Sequence, residues 1–297
     1  MTQQFRLNDR AILASATISL FSGEKTDKRV AEEVARNHNT TATDAGRFQK
    51  AIISKKALEP IKKIAGDIRA AHARRTLPWL NTGERLLPLA GYEEYGEEIA
   101  TLRAQFETEV ERFISLYPTL IEDARKRLNG MFDEADYPPV AELRDRFQID
   151  LKVMPLPDTR SWITDEVQAM LGEQAEVLRD AAETRLRMAV DDATKDIFDR
   201  IATVTGHMAT KLKGYNPDTE GRPEGVFRDS LVENVRALYD LIPQLNFAGD
   251  PRIEELREAM RVLTHHDADT LRADAAFRTE TAAAADALYQ QALALLG

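Results

Sequence analysis

The chain has no cysteine among its 297 residues. This absence excludes disulfide bonds, zinc–thiolate sites, iron–sulfur clusters and cysteine nucleophiles. The first 21 residues include an apolar run, but they lack the basic start and the small-residue cleavage pattern of a secretory signal peptide. We therefore expect a cytoplasmic protein.

Recognisable catalytic motifs are absent too. The chain lacks the phosphate-binding GxxxxGK(S/T), the dinucleotide-binding GxGxxG and the zinc-binding HExxH patterns. His265 and His266 are adjacent, but neighbouring helical residues point about 100° apart and chelate one metal poorly. The carboxylate clusters at 133–136 and 191–192 are interpreted as solvated helix ends and faces. We predict no cofactor and no metal. An unrecognised hydrolase or metal protein is the least favoured alternative, and it stays open because catalytic triads are recognised in space and not in sequence.

Long hydrophobic runs are also missing. No stretch approaches 18 uninterrupted apolar residues, so we predict no membrane-spanning helix and no membrane partner. The composition is 43% hydrophobic and 30% charged, with a mean hydropathy of -0.41, as expected of a soluble protein rich in charged helices. A chain of this length can bury a real core, in one elongated domain or two compact ones.

Two long stretches have the periodicity of amphipathic helices. In the first, 92–132, apolar residues recur every three or four positions. The second, 161–213, contains no proline and would span roughly 75 Å at 1.5 Å per residue. Its alanine-rich middle favours close approach of another helix, from this chain or from a second copy. The predicted helix-pairing surface comprises Leu178, Leu186, Ala189, Ala193 and Ile197.

Short strands are predicted from partial alternation of apolar and polar residues. The clearest is 147–157, and we expect it to pair with N-terminal strands at 12–21 and 46–54. The segment 76–92 contains two prolines and two glycines and is predicted to be irregular or a hairpin. Residues 22–27 are predicted to form a turn before the next helix.

The predicted fold class is mainly α, within the α+β group. Long antiparallel helices would form an elongated bundle or coiled coil beside a small N-terminal β-sheet. The predicted domains are 1–158, which holds the sheet and the first long helix, and 159–297, which is all helical. The remaining predicted helices cover about 28–37, 55–74, 139–146, 226–242, 251–264 and 267–296.

Positive charge is concentrated in one segment. Residues 47–85 contain ten basic and three acidic side chains, a net charge of +7, whereas the whole chain has -10. A basic face of this kind could contact phosphates of a nucleic acid, or an acidic partner or neighbouring subunit. A solvated helix that balances the acidic remainder is the plainer interpretation. The candidate surface comprises Lys55, Lys62, Lys63, Arg69 and Arg74.

The connection at 214–225 is longer than most loops between bundle helices. Its glycines and prolines limit regular structure, and its charged residues offer polar contacts. It is predicted to be either a mobile connector or a contact site for a partner.

Several strings of the chain resemble one family. The runs at 83–128 (GERLLPLAGYEEYGEE at its start) and 132–158 (FDEADYPPVAELRDRF at its start) are similar to phage and prophage proteins with domain of unknown function 3150. Residues 20–34 and 227–251 are similar to that group too. The resemblance implies no activity and no catalytic residues. It implies frequent encoding near MoxR-like AAA+ ATPases and von Willebrand A-type proteins, which are therefore expected partners.

The expected function follows from shape and from this resemblance. We predict a non-enzymatic phage protein in the cytoplasm of a bacterial host, acting as an oligomeric helical scaffold or adaptor beside a AAA+ machine. The first alternative is a nucleic-acid-binding protein that uses the basic segment 47–75.

Overall fold

The computed structural model describes residues 7–80, 82–156, 170, 172–217 and 224–297. It is mainly helical with a small antiparallel sheet, which confirms the predicted fold class. Within these residues the α-helices are α1 Lys28–Asn37, α2 Lys55–Arg75, α3 Tyr92–Leu128, α4 Val140–Arg144, α5 Glu173–Lys213, α6 Ser230–Leu245, α7 Pro251–Met260, α8 Ala268–Ala273 and α9 Ala275–Ala294.

The strands form two sheets. The larger has the order β4-β5-β1-β6, so β6 lies beside the N-terminal strand β1 as predicted. Strands β1 and β5 are antiparallel, with Ala11 opposite Pro88 and Ala14 opposite Arg85. The smaller sheet pairs β2 with β3, so the predicted strand at 46–54 pairs with β2 and the expectation that it pairs with β6 was wrong. Strand β2 lies where a turn was predicted. The strands are β1 Ala11–Ser19, β2 Glu24–Thr26, β3 Gln49–Ala51, β4 Leu77–Pro78, β5 Arg85–Pro88 and β6 Gln148–Met154.

The chain divides into two compact units that alternate along the sequence. The first unit comprises residues 1–15, 73–94 and 152–297, and the second comprises 16–72 and 95–151. The predicted boundary between residues 158 and 159 lies outside the described residues and stays a prediction.

The first unit is built around an antiparallel helix pair. Lys213 Nζ lies 3.1 Å from Asp286 Oδ2, and Gly206, earlier in α5, faces Tyr289, later in α9. A Cβ at Gly206 would lie 2.8 Å from the ring of Tyr289, so this glycine permits close packing. Buried residues of α6, α7 and α8 complete the core around this pair, with Val235, Ile242, Ile253, Met260 and Leu271 among those that are fully enclosed.

Helix α5 begins later than its sequence pattern indicates. The prediction was one uninterrupted helix over 161–213, but Gly172 has a φ of 54° and the described helix starts at Glu173. A positive φ is outside the right-handed helical region, which ends helical hydrogen bonding locally. Residues 161–169 lie outside the described part of the chain. The 41 residues of α5 extend about 61 Å at 1.5 Å per residue.

The second unit has an aromatic centre. The ring centroid of Phe147 lies 6.3 Å from that of Phe21 and 5.6 Å from that of Phe113, and Tyr117 lies 6.0 Å from Phe113. Tilted and edge-to-face pairs of this kind stabilise a core beyond simple burial. The rings come from α3 and from the segments next to β1 and β6.

A buried lysine lies in the second unit. Lys50 Nζ lies 2.6 Å from Asp136 Oδ2 and 3.4 Å from Asp27 Oδ2, and it donates a 2.7 Å hydrogen bond to the carbonyl of Met131. Asp27 is also the N-cap of α1 and accepts a hydrogen bond from the backbone N–H of Arg29. Burial raises the pKa of Asp27, but Lys50 and backbone N–H groups lower it by more, so this pKa lies below its ordinary value.

Candidate interaction surfaces

Helix α5 has two environments along its length. Its C-terminal part is enclosed by the first unit, where Ile197, Ile201 and Met208 are fully buried. Its N-terminal part, 174–188, has large apolar side chains in contact with solvent, and Val177 is 69% and Met188 60% exposed. Exposed apolar side chains that share one helix face are a mark of an interaction site.

The predicted helix-pairing residues fall on both sides of this division. Ala189, Ala193 and Ile197 are buried in the first unit's own core, and Leu186 packs partly against it. Leu178 is 43% exposed. The predicted set therefore contains a buried stripe and one residue that borders the exposed apolar face.

The exposed face of α5 lies opposite its buried stripe. At 100° per residue, Val177, Ala181 and Met188 fall within about 40° of one another, roughly 140° or more from Leu186. The sequence pattern did not separate these faces, since both contain apolar side chains at helical spacing. We define the exposed α5 face by Gln174, Val177, Ala181, Thr184 and Met188, all of which are exposed.

Helix α2 carries the predicted basic surface. Its inward side buries Leu58, Ile61 and Ile68. The solvent side carries every predicted cation, namely Lys55, Lys62, Lys63, Arg69 and Arg74, and also Lys56. Each is exposed, which phosphate or carboxylate contacts require.

These cations form two rows along α2. Lys55, Lys62 and Arg69 recur at seven-residue intervals and fall within about 40° of one another, roughly 10 Å apart along the axis. Lys56 and Lys63 start a second row, about 100° around the helix. Glu59 and Asp67 lie on the same solvent side of α2. They lower the net positive charge of this side, but the six cations still outnumber them.

Two other cations of the basic segment, Lys50 and Arg85, have structural roles. Lys50 is buried in the second unit, as described above. In the first unit, Arg85 and Arg200 donate hydrogen bonds to the carbonyls of Ala73 and Thr76, at the end of α2. Cations at a helix C-terminus compensate the negative end of its dipole. Burial lowers the pKa of Arg85, while Asp196 raises it.

The buried His72–Tyr95 pair of the second unit is a titratable contact that resembles an acid–base pair. His72 Nδ1 lies 2.9 Å from the hydroxyl of Tyr95, and both side chains are buried. Burial raises the pKa of Tyr95 and of Tyr117 to about 12, so neither phenol ionises near neutral pH. A general base is effective when its pKa lies near the working pH, and neither tyrosine meets this condition.

The described residues line open grooves in both units. One, of about 610 Å³, lies in the second unit between Phe106, Val110 and Phe147, with the Arg144–Glu111 ion pair at its rim. The other, of about 400 Å³, lies in the first unit beside Gly206 and Tyr289. The second groove is lined mainly by polar side chains, among them Asp199, His207 and Asp286. Both grooves are open to solvent, whereas small-molecule sites are usually enclosed and mostly apolar.

The long connection after α5 is described only at its ends. Asn216 and Glu224 pair through two backbone hydrogen bonds of 3.0 and 2.9 Å. Residues 218–223 lie outside the described part of the chain, so the predicted contact site at this loop stays a prediction.

The described residues contain no group of three or more histidine, aspartate or glutamate side chains that could hold a metal ion. Among their helices, none has a stretch that is long and apolar enough to cross a membrane. Comparisons of the chain with protein-family models, with curated proteins and with solved structures gave no match.

Proposed function

We propose that this chain is a non-enzymatic, oligomeric phage scaffold or adaptor that acts through exposed helical surfaces, beside a MoxR-like AAA+ ATPase or a von Willebrand A-type protein in the bacterial cytoplasm. The observation that carries this proposal is the exposed α5 face. Val177 and Met188 project there, whereas apolar side chains further along the same helix, such as Ile197, are buried by its own chain. Binding of a protein partner would remove this apolar surface from water.

The kind of partner is suggested by the family resemblance. The resemblance of residues 83–158 to proteins with domain of unknown function 3150 implies encoding near MoxR-like AAA+ ATPases and von Willebrand A-type proteins. An adaptor needs a rigid element that presents side chains to a partner, and a helix anchored in a core at one end provides such an element. The C-terminal part of α5, with Ala193 and Ile197 buried, is that anchor.

Binding to a MoxR-like AAA+ ATPase from the same phage or host genome tests this proposal. We expect the full chain to bind the purified ATPase in isothermal titration calorimetry, and Val177→Asp to weaken binding by about tenfold or more, since it places a charge in an apolar contact. Val226→Asp is the matched control, because Val226 is a similarly exposed valine outside α5, at 57%. Equal binding by the two variants, or no binding by the unaltered chain, would contradict the proposal.

Nucleic-acid binding is the second candidate function. The observation that favours it is the solvent-exposed row of Lys55, Lys62 and Arg69 on α2. Among the described residues, Lys55 and Lys62 have no ion-pair partner. Cations in this state can contact phosphates without first breaking an internal pair.

Salt dependence tests this second function. Binding of DNA or RNA at about 50 mM salt should weaken steeply as salt is raised, and reversal of Lys55, Lys62 and Arg69 to glutamate should abolish it. The control is the same reversal at Lys25 and Lys28, two exposed cations outside α2. Absence of binding by the unaltered chain at low salt would rule this function out.

A further inference from the structure

The exposed α5 face has the spacing of a coiled-coil seam. Gln174, Val177, Ala181, Thr184 and Met188 follow one another at steps of three, four, three and four residues. This alternation is the heptad pattern in which a and d residues meet a second helix. With Val177 and Thr184 at d, the other three residues occupy a positions.

Charged residues flank this seam at the positions that select a partner. In the same heptad numbering, Asp180 and Arg187 occupy g positions, and Arg185 and Asp192 occupy e positions. All four side chains are exposed. None of them has an ion-pair partner within the described part of the chain.

A parallel pairing of two copies would satisfy all four charges. In parallel coiled coils, a g residue of one helix faces the e residue five positions later on the other. Asp180 then faces Arg185 of the second copy, and Arg187 faces Asp192 of the second copy. Two-fold symmetry repeats each contact, so four opposite-charge contacts form.

An antiparallel pairing would satisfy fewer charges. There g residues face g residues, so Asp180 meets Arg187, and this contact occurs twice. The e residues face each other, which places Arg185 against Leu178. The polar Gln174 at an a position also favours one register, because a displaced register would bury it against an apolar neighbour.

We infer that a second copy of this chain docks on the exposed α5 face in parallel register, through the Val177–Met188 seam and the Asp180–Arg185 and Arg187–Asp192 charge pairs. The inference rests on the proposed function, since it assigns the oligomeric contact of that scaffold to this face, so Val177→Asp would weaken ATPase binding by separating the two copies. The seam covers little more than two heptads and contains Gln174, Ala181 and Thr184. The association is therefore reversible and weakens as salt is raised.

Charge reversal in the full chain tests this inference. Analytical ultracentrifugation at increasing concentration should show a monomer–dimer equilibrium. Asp180→Arg alone places two cations together, and Arg185→Asp alone places two carboxylates together. Each should raise the dissociation constant by about tenfold or more. An equimolar mixture of the two variants should recover the dimer, because each altered residue then faces an opposite charge.

The control is Glu176→Arg, an exposed c position about 120° from the seam, which should leave the dimer unchanged. A monomer at every concentration would overturn the inference. If the unaltered chain dimerises but the mixture of the two variants does not, the parallel register is overturned. In an antiparallel pair, Asp180→Arg places a cation against Arg187 both in the single variant and in the mixture. A chain that stays monomeric but loses ATPase binding with Val177→Asp would refute the self-docking alone. A dimer restored by the mixture without ATPase binding would refute the adaptor role alone.

Discussion

Replacement of Lys50 by methionine perturbs the buried ion cluster of the second unit with little change in side-chain volume. The Lys50 side chain is 1% exposed, and the carboxylates of Asp27 and Asp136 are 5% and 15% exposed. Without the ammonium group, two buried carboxylates and the carbonyl of Met131 lose their shared donor. Removal of one partner from a buried ion pair costs about 3–5 kcal/mol, which is the expected loss in free energy of unfolding at pH 7.

The predicted loss depends on pH in a definite direction. In the unaltered chain, the lowered pKa of Asp27 contributes stability above the ordinary carboxyl pKa, and this contribution disappears as pH falls through the lower folded value. In Lys50→Met, burial instead disfavours the charged form of Asp27. Protonation relieves that penalty, so the difference between variant and unaltered chain should shrink below about pH 5.

Urea unfolding followed by far-UV circular dichroism measures this difference. Lys55→Met is the control, since Lys55 is exposed in the same unit, and it should change the free energy by less than about 0.5 kcal/mol. Asp27→Asn with Asp136→Asn, added to Lys50→Met, should recover much of the loss, because no uncompensated charge remains and asparagine can still cap α1. A loss below about 1 kcal/mol for Lys50→Met at pH 7, or one that does not change with pH, would refute this reasoning.

Two further stability predictions concern helix packing in the same unfolding assay. Gly206→Val should destabilise the chain by about 1–3 kcal/mol, because the added side chain would meet the ring of Tyr289. Gly66→Ala, on the open side of α2, should stabilise the chain by about 0.5–1 kcal/mol. Destabilisation by both substitutions would contradict this account. Ile197→Ala should cost about 2–5 kcal/mol by opening a cavity, and Leu178→Ala less than about 0.5 kcal/mol, so similar losses at the two positions would argue against the division of α5.

Local sequence signals predicted many of the elements. Asp27 precedes α1 as an N-cap, and the helix runs over Lys28–Asn37, the range predicted from the sequence. Strands β1 and β6 overlap the predicted segments and lie side by side. These signals succeed because caps, breakers and alternation act between residues that are close in sequence.

Long-range contacts explain what the sequence did not predict. Strand β2 has only three residues, which is too short for a reliable alternation pattern. Strand β3 lies within the predicted strand 46–54, but its pairing with β2 and the burial of its Lys50 were not predicted. A sequence pattern also treats Lys50 like the exposed Lys55. Leu178 and Ala193 belong to one helical stripe, yet only Ala193 is buried, because the packing of other elements against α5 decides which part of the stripe is enclosed.

The absence of cysteine permits one direct measurement on the exposed α5 face. A single cysteine introduced as Val177→Cys would lie at a d position, where two parallel copies bring equivalent residues together. Under mild oxidation, this variant should form a disulfide-linked dimer much faster than Glu176→Cys. Glu176 is exposed and immediately precedes Val177, but its side chain points away from the seam. Equal rates of cross-linking at the two positions would contradict the claim that this face binds a second protein chain in a defined register.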